Sequence, residues 1–243
     1  MPQDWPLSRL GTRRVSLEGA ERFFMIHLVA MTLRELEQLV ALGEGISLEF
    51  KRRVPRPERI AKEIVALANT KGGRIVLGVS DNGRIEGFEN VSEQQFLLRQ
   101  ATEAHCDPPV EYDTERVVVA DRRDVIVVSV PESSRKPHLL VVDGEGEAPV
   151  YVRVEDRSVE ASAETTERLR HQESGEGVTF EFGETESLLM RYLDDYGRIT
   201  VPQLAQLADI SPERASQTLL RLVRADLLHL HSSDDGDYFT LNY

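Results

Sequence analysis

Between Ile46 and Val79 the hydrophobic pattern switches from one period to another and back, and this stretch limits the fold more than any other. Ile46, Leu48 and Phe50 alternate with Ser47, Glu49 and Lys51, the pattern of a strand with one buried face. Pro55 and Pro57 break that strand. From Glu58 to Asn69 the residues Ile60, Ile64, Val65, Leu67 and Ala68 recur at helical spacing and form an apolar stripe. Gly72-Gly73 closes the helix, and Arg74 to Val79 reads as a buried strand. Asp81-Asn82-Gly83 then signals a hairpin into Arg84 to Phe88.

The flanking sequence extends this into an α+β layer domain over residues 31–162. Thr32 can cap a helix carrying Leu33, Leu36, Leu39 and Val40, Glu35 completes a capping box, and Gly43 ends it. Residues 1–30 show no sustained periodicity and read as a loose N-terminal extension. Ser92 is placed to cap a helix running to His105, which Asp107-Pro108-Pro109 stops. Val110 to Ala120 and Asp124 to Val130 read as meander strands, and Leu139 to Val142 with Val150 to Val154 as a further hairpin pair. Ala161 to Gly177 is polar, glutamate-rich and ends in Gly175-Glu176-Gly177, so a linker is expected over residues 163–180. Residues 181–243 then predict three helices, the second capped by Thr200 and the third by Ser211, and a hairpin around Asp234-Asp235-Gly236. That order looks like a winged helix, a module that places one helix in the DNA major groove.

Charge sets a condition on partners. The 243 residues carry a formal charge of −13, which opposes a nucleic-acid partner unless positive charge is concentrated locally. It is concentrated: Lys51, Arg52, Arg53, Arg56, Arg59 and Lys62 fall within twelve positions with only Glu58 against them. Lys71 and Arg74 sit beyond the same helix, and together these side chains could form one phosphate-binding face. A solvated helix face is the plainer reading. In the C-terminal module Arg214, Gln217, Thr218, Arg221 and Arg224 lie on or near the outer face of the third helix, able to touch base edges and phosphates. Five arginines face eleven acidic residues there, three of them on the wing, so protein contact competes with DNA binding. A single cysteine excludes an internal disulfide, and no apolar run approaches the ~20 residues needed to span a bilayer. A cytoplasmic protein is expected.

Three carboxylates make a second candidate site. Glu44 and Glu49 are five positions apart, an odd separation that points them to opposite faces of a continuous strand, so they converge only if the chain turns at Gly45. Asp81 lies in good turn chemistry, which needs no further function. The ordered set of Glu44, Glu49-Phe50-Lys51, Ala68-Asn69, Gly72-Gly73, Gly78-Val79 with Asp81 and Gly83, and Tyr151-Val152-Arg153 resembles the AlbA-type domain of the Schlafen family. That domain is widespread in bacterial proteins described as DNA-binding or transcriptional regulators. The resemblance implies an AlbA-like domain and a nucleic-acid partner, DNA or RNA, in a homodimer or higher homo-oligomer. It also implies an alternative, since Schlafen-type ribonucleases use three acids in the places of Glu44, Glu49 and Asp81, with Mg or Mn as the cofactor. Ser80 departs from the family pattern, which often has a second aspartate there. A third reading is a protein-interaction adaptor.

Overall fold

The computed structural model describes residues 31–142, 148–171 and 183–242; the expected N-terminal extension and the later part of the expected linker lie outside these. Helix α1 (Leu33–Ala41) starts with the predicted capping box, Thr32 receiving the Glu35 amide and the Glu35 carboxylate receiving the Thr32 amide at 2.7 Å. Strand β1 (Leu48–Lys51), helix α2 (Pro57–Asn69) and strand β2 (Gly73–Leu77) follow. The two strands pair in parallel, with Glu49 opposite Ile75. Helix α3 (Val91–His105) leads through β3 (Cys106–Asp107) to the long pair β4 (Asp113–Ala120) and β5 (Arg123–Val130). The main sheet is ordered β1-β2-β5-β4, mixed in direction, in an α+β domain.

Side-chain alternation sorts this sheet into two cores. Ile75 and Leu77 of β2, with Ile126 and Val128 of β5, pack under α2 and α3. Val76, Val125 and Val127 point the other way and join Leu48, Phe50 and the α1 residues Leu36 and Val40. Glu49 therefore lies on the α2 face, where it is only 6% exposed, and not at the ordinary solvent-facing strand position its period predicts. Ile46, expected to be buried, is exposed because the chain turns between Gly45 and Leu48 before the strand begins.

The return after α2 explains the paired glycines. Gly72 has φ +70°, and a Cβ on Gly73 would stand 2.5 Å from the Ser47 carbonyl oxygen, so neither place admits a side chain without displacing backbone. Asn69, just before them, is buried and clamps a distant segment. Its Oδ1 accepts the His138 amide at 2.7 Å, while Nδ2 donates to the carbonyls of His138 and Tyr151 at 2.8 and 3.0 Å.

Several local expectations are corrected. Asn90, not Ser92, caps α3, because its Oδ1 reaches the Glu93 amide. The turn at Asp81-Asn82-Gly83 forms, with Gly83 N–H donating to the Ser80 carbonyl, but it returns only through a bridge from Ile85 to Val79. β6 (Leu139–Leu140) pairs with β3, and β7 (Tyr151–Val154) pairs with β8 (Arg157–Glu160), a strand absent from the sequence reading. One bridge, Leu139 to Val150, remains of the expected hairpin. The first nine residues of the expected linker form helix α4 (Ala163–His171), whose Leu169 is buried against Val150 and Val152. One apolar side chain per two turns suffices to dock so polar a helix, and that signal is too sparse to read as periodicity.

The C-terminal residues form α5 (Glu184–Tyr196), α6 (Val201–Ala208), α7 (Pro212–Arg224) and an antiparallel hairpin of β9 (Leu228–His231) and β10 (Tyr238–Leu241). Leu189, Leu193, Leu204, Leu219, Leu222 and Phe239 make a separate core. Among the described residues no helix is long and apolar enough to cross a membrane.

Asn69→Ala removes three hydrogen bonds and strands a buried amide and two carbonyls. The variant is expected to lose about 3 kcal/mol in urea unfolding, at the upper end for leaving buried partners unsatisfied; a loss below about 0.5 kcal/mol contradicts the clamp.

Candidate nucleic-acid interface and the acidic residues beside it

The basic set is divided by the parallel β1–α2–β2 path. β1 ends at Lys51 and α2 runs back to Asn69, about 20 Å for its 13 residues. Lys71 and Arg74 therefore stand beside Ser47 and Leu48, at the opposite end of α2 from Arg52 to Arg59. The single face expected from the sequence is two patches. Within the larger patch, three cations already have partners. Lys51 pairs with Glu49, Arg52 Nε donates to Glu86 at 2.9 Å, and the Lys62 ammonium lies 5.7 Å from the centre of the Tyr151 ring. Arg53, Arg56 and Arg59 are exposed, and their side chains have no hydrogen bond or ion pair among the described residues. They cluster at the start of α2, where Arg56 is the N-cap and makes no side-chain capping bond. The positive end of the helix dipole adds to their field.

The acidic residues are close but already committed. The turn at Gly45 does bend the chain as convergence requires, and the Glu44 carboxylate folds back to accept the Phe50 amide at 2.8 Å. Burial raises the Glu44 pKa, the Phe50 amide opposes this, and the neighbouring Glu49 and Asp81 charges raise it further. Glu49 has one oxygen on the Lys51 ammonium and the other 3.0 Å from Arg153 Nη1. Asp81 is exposed on its turn. Among the described residues no three His, Cys, Asp or Glu side chains are arranged to hold a metal ion. A divalent ion takes carboxylate oxygens at about 2.0–2.6 Å. With both Glu49 oxygens bound to cations, the donor set does not fit that role.

Sequence reasoning missed Arg153 as a member of this constellation. Its only signal was its place in the Tyr151-Val152-Arg153 triplet, and nothing in the spacing says that residues 104 positions apart meet.

In the C-terminal module, Arg214, Gln217 and Arg221 line a cleft of about 1430 Å³ and look across it at Pro149, Val150 and Glu164. Arg224 donates to Glu167 of α4 at 3.2 Å, and Arg221 contacts Thr218 and Glu186. Thr218, expected on the outer face, is buried. A helix that enters a major groove must stand clear of its own protein on that side. Here α7 faces the first domain instead.

The acidic hairpin is explained by the same arrangement. Asp237 accepts hydrogen bonds from Ser162 and, at 2.6 Å, from Thr165; Thr165 also contacts Ser232 at 2.8 Å. Asp234 pairs with Arg157. Beside them, burial lowers the Arg168 pKa and the Asp237 charge opposes that shift. These aspartates, which would repel a phosphate backbone, are held by β8 and α4.

The fold and this constellation define a mixed α+β domain with a buried acid–guanidinium cluster beside exposed arginines. Residues 44–162 match the family model described as Schlafen, AlbA_2. Among solved structures, the chain is similar to the DIP2311 protein from Corynebacterium diphtheriae, at 20% identity and a TM-score of 0.42, over 81% of this chain. It spans only 34% of that protein's chain. It is also similar to the N-terminal domain of a RecG-related protein from Nitrosomonas europaea, at 24% identity and a TM-score of 0.38, over 49% of this chain and 84% of that one. No curated protein matches the sequence.

Replacing Asp234 and Asp237 together by Ala should release the hairpin from α4 and β8. Small-angle scattering is expected to show a larger radius of gyration while both helical cores persist by circular dichroism; an unchanged radius contradicts the docking role.

Proposed function

We propose that this protein binds nucleic acid through the exposed guanidinium groups of Arg53, Arg56 and Arg59, and that it acts as a DNA-binding regulator. The observation that carries this reading is local. In a chain of formal charge −13, three arginines stand unpaired within seven positions at one helix N-terminus. Other cations of this protein, such as Lys51, Arg52 and Arg224, are paired with carboxylates. Leaving three uncompensated has an electrostatic cost, which a phosphate backbone relieves. Arg52 and Lys62 lie beside them and extend the track.

The C-terminal helices and hairpin are read as a winged helix that serves the regulator by docking on its own first domain. The contacts of Asp234, Asp237 and Arg224 support this, as does the position of α7 on the cleft wall. Reading of bases by Arg214, Gln217 and Arg221 would require the module to swing away. The acids Glu44, Glu49 and Asp81 have no catalytic part in this reading, because Glu49 is bound to Lys51 and Arg153.

Fluorescence anisotropy with a labelled DNA duplex tests the assignment. Arg53→Glu/Arg56→Glu/Arg59→Glu is expected to weaken binding by at least about 100-fold, and three phosphate contacts imply a parent salt slope of about −2.7 on a log–log plot. Arg214→Ala/Gln217→Ala should bind as the parent does. Undiminished affinity in the triple variant refutes the interface, and a preference for structured RNA over the duplex refutes the DNA assignment.

A further inference from the structure

Arg153 occupies the space between the turn at Gly45, β1 and α2, and its side chain is fully excluded from solvent. Nη1 donates to Glu49 at 3.0 Å, to Glu63 at 3.1 Å and to the Ser158 hydroxyl at 3.2 Å. Nη2 donates to the Gly45 carbonyl at 2.7 Å. Ser158 in turn bonds to Glu63, and Lys51 holds the outer oxygen of Glu49. Glu49 and Glu63 thus meet Arg153 and Lys51, two carboxylates against two cations. The guanidinium also touches the backbone turn that aims Glu44 at Phe50.

Buried carboxylates need a counter-charge, and either a metal ion or a fixed side chain can supply it. We propose that Arg153 is the resident cation of this acidic site, standing where a divalent ion would otherwise neutralise Glu49 and Glu63. A guanidinium carried by the chain itself cannot be drawn off by a chelator, so the neutralisation is permanent. The fold consequently needs no magnesium or manganese. On the reading of the arginine patch given above, phosphate contact needs none either, because Glu49 and Glu63 already have their counter-charges in Arg153 and Lys51.

Thermal melting of the full chain in manganese chloride, magnesium chloride or EDTA tests this without any nucleic acid, so its failure is separate from failure of the binding assignment. The parent is expected to melt at the same temperature in all three, within about 1 °C. Arg153→Ala leaves two buried carboxylates facing the gap where the guanidinium stood. It should melt about 10 °C lower in EDTA and recover several degrees in manganese. If that variant does not fold, Arg153→Met/Glu49→Gln/Glu63→Gln, which removes the opposing charges together, is expected to fold and to ignore manganese. A parent stabilised by manganese, with the shift lost in Glu49→Gln, overturns the proposal. So does an Arg153→Ala chain as stable as the parent, or one that manganese leaves unchanged.

Discussion

A guanidinium with no access to water connects parts of the chain that are far apart in sequence, and much of the first domain depends on it. From β7, Arg153 reaches Glu49 on β1, Glu63 on α2, Ser158 on β8 and the carbonyl at the Gly45 turn. Removing one partner of such a cluster leaves an uncompensated buried charge, which typically costs about 3–5 kcal/mol. The intact cluster adds little to stability beyond what apolar packing would give, because desolvation offsets the attraction. Its effect is on arrangement. It sets which face of β1 meets α2, and it holds β7 against the helix that Asn69 clamps at its other end.

Charge is distributed by the same logic across the molecule. The acidic hairpin aspartates meet Arg157, Ser162 and Thr165, and the last arginine of α7 meets α4. Within the first domain, Lys51 and Arg52 are consumed by Glu49 and Glu86. Other cations such as Arg34, Lys71, Arg74, Arg84, Arg99 and Arg122 also lack a side-chain partner among the described residues, but the group at the start of α2 is the densest run of them in the sequence. In an acidic protein, such a dense uncompensated basic patch selects where a polyanion can approach, and repulsion elsewhere narrows the choice further.

Elements whose cause is local were legible in the sequence, and those that depend on pairing at a distance were not. Thr32 with Glu35, Thr200, and Ser211 ahead of Pro212 announce helix starts through a few adjacent atoms, and all three helices begin there. The strand and helix periods around α2 and the β4–β5 pair were equally readable. The alternation at Ile46 to Lys51 was misleading, because a period of two says which residues share a face and not which face is covered. Both faces proved to be covered, with Leu48 and Phe50 in the α1 core and Glu49 buried on the α2 side. Likewise, the partner of Leu139 is a two-residue strand after α3, and no short-range pattern encodes that choice. Of the candidate site, the basic run was visible as composition. Its division into two ends followed from the parallel pairing of β1 and β2, and the commitment of Glu49 followed from Arg153.

The account rests on the first domain, not α7, meeting the polyanion. Hydrogen–deuterium exchange of the full chain with and without a DNA duplex measures this directly, since bound phosphate slows exchange where backbone and side chains are covered. The account predicts new protection in peptides covering Arg52 to Lys62 and no change in those covering Ser211 to Arg224. Protection confined to Ser211–Arg224, with Arg52–Lys62 unaltered, would contradict it.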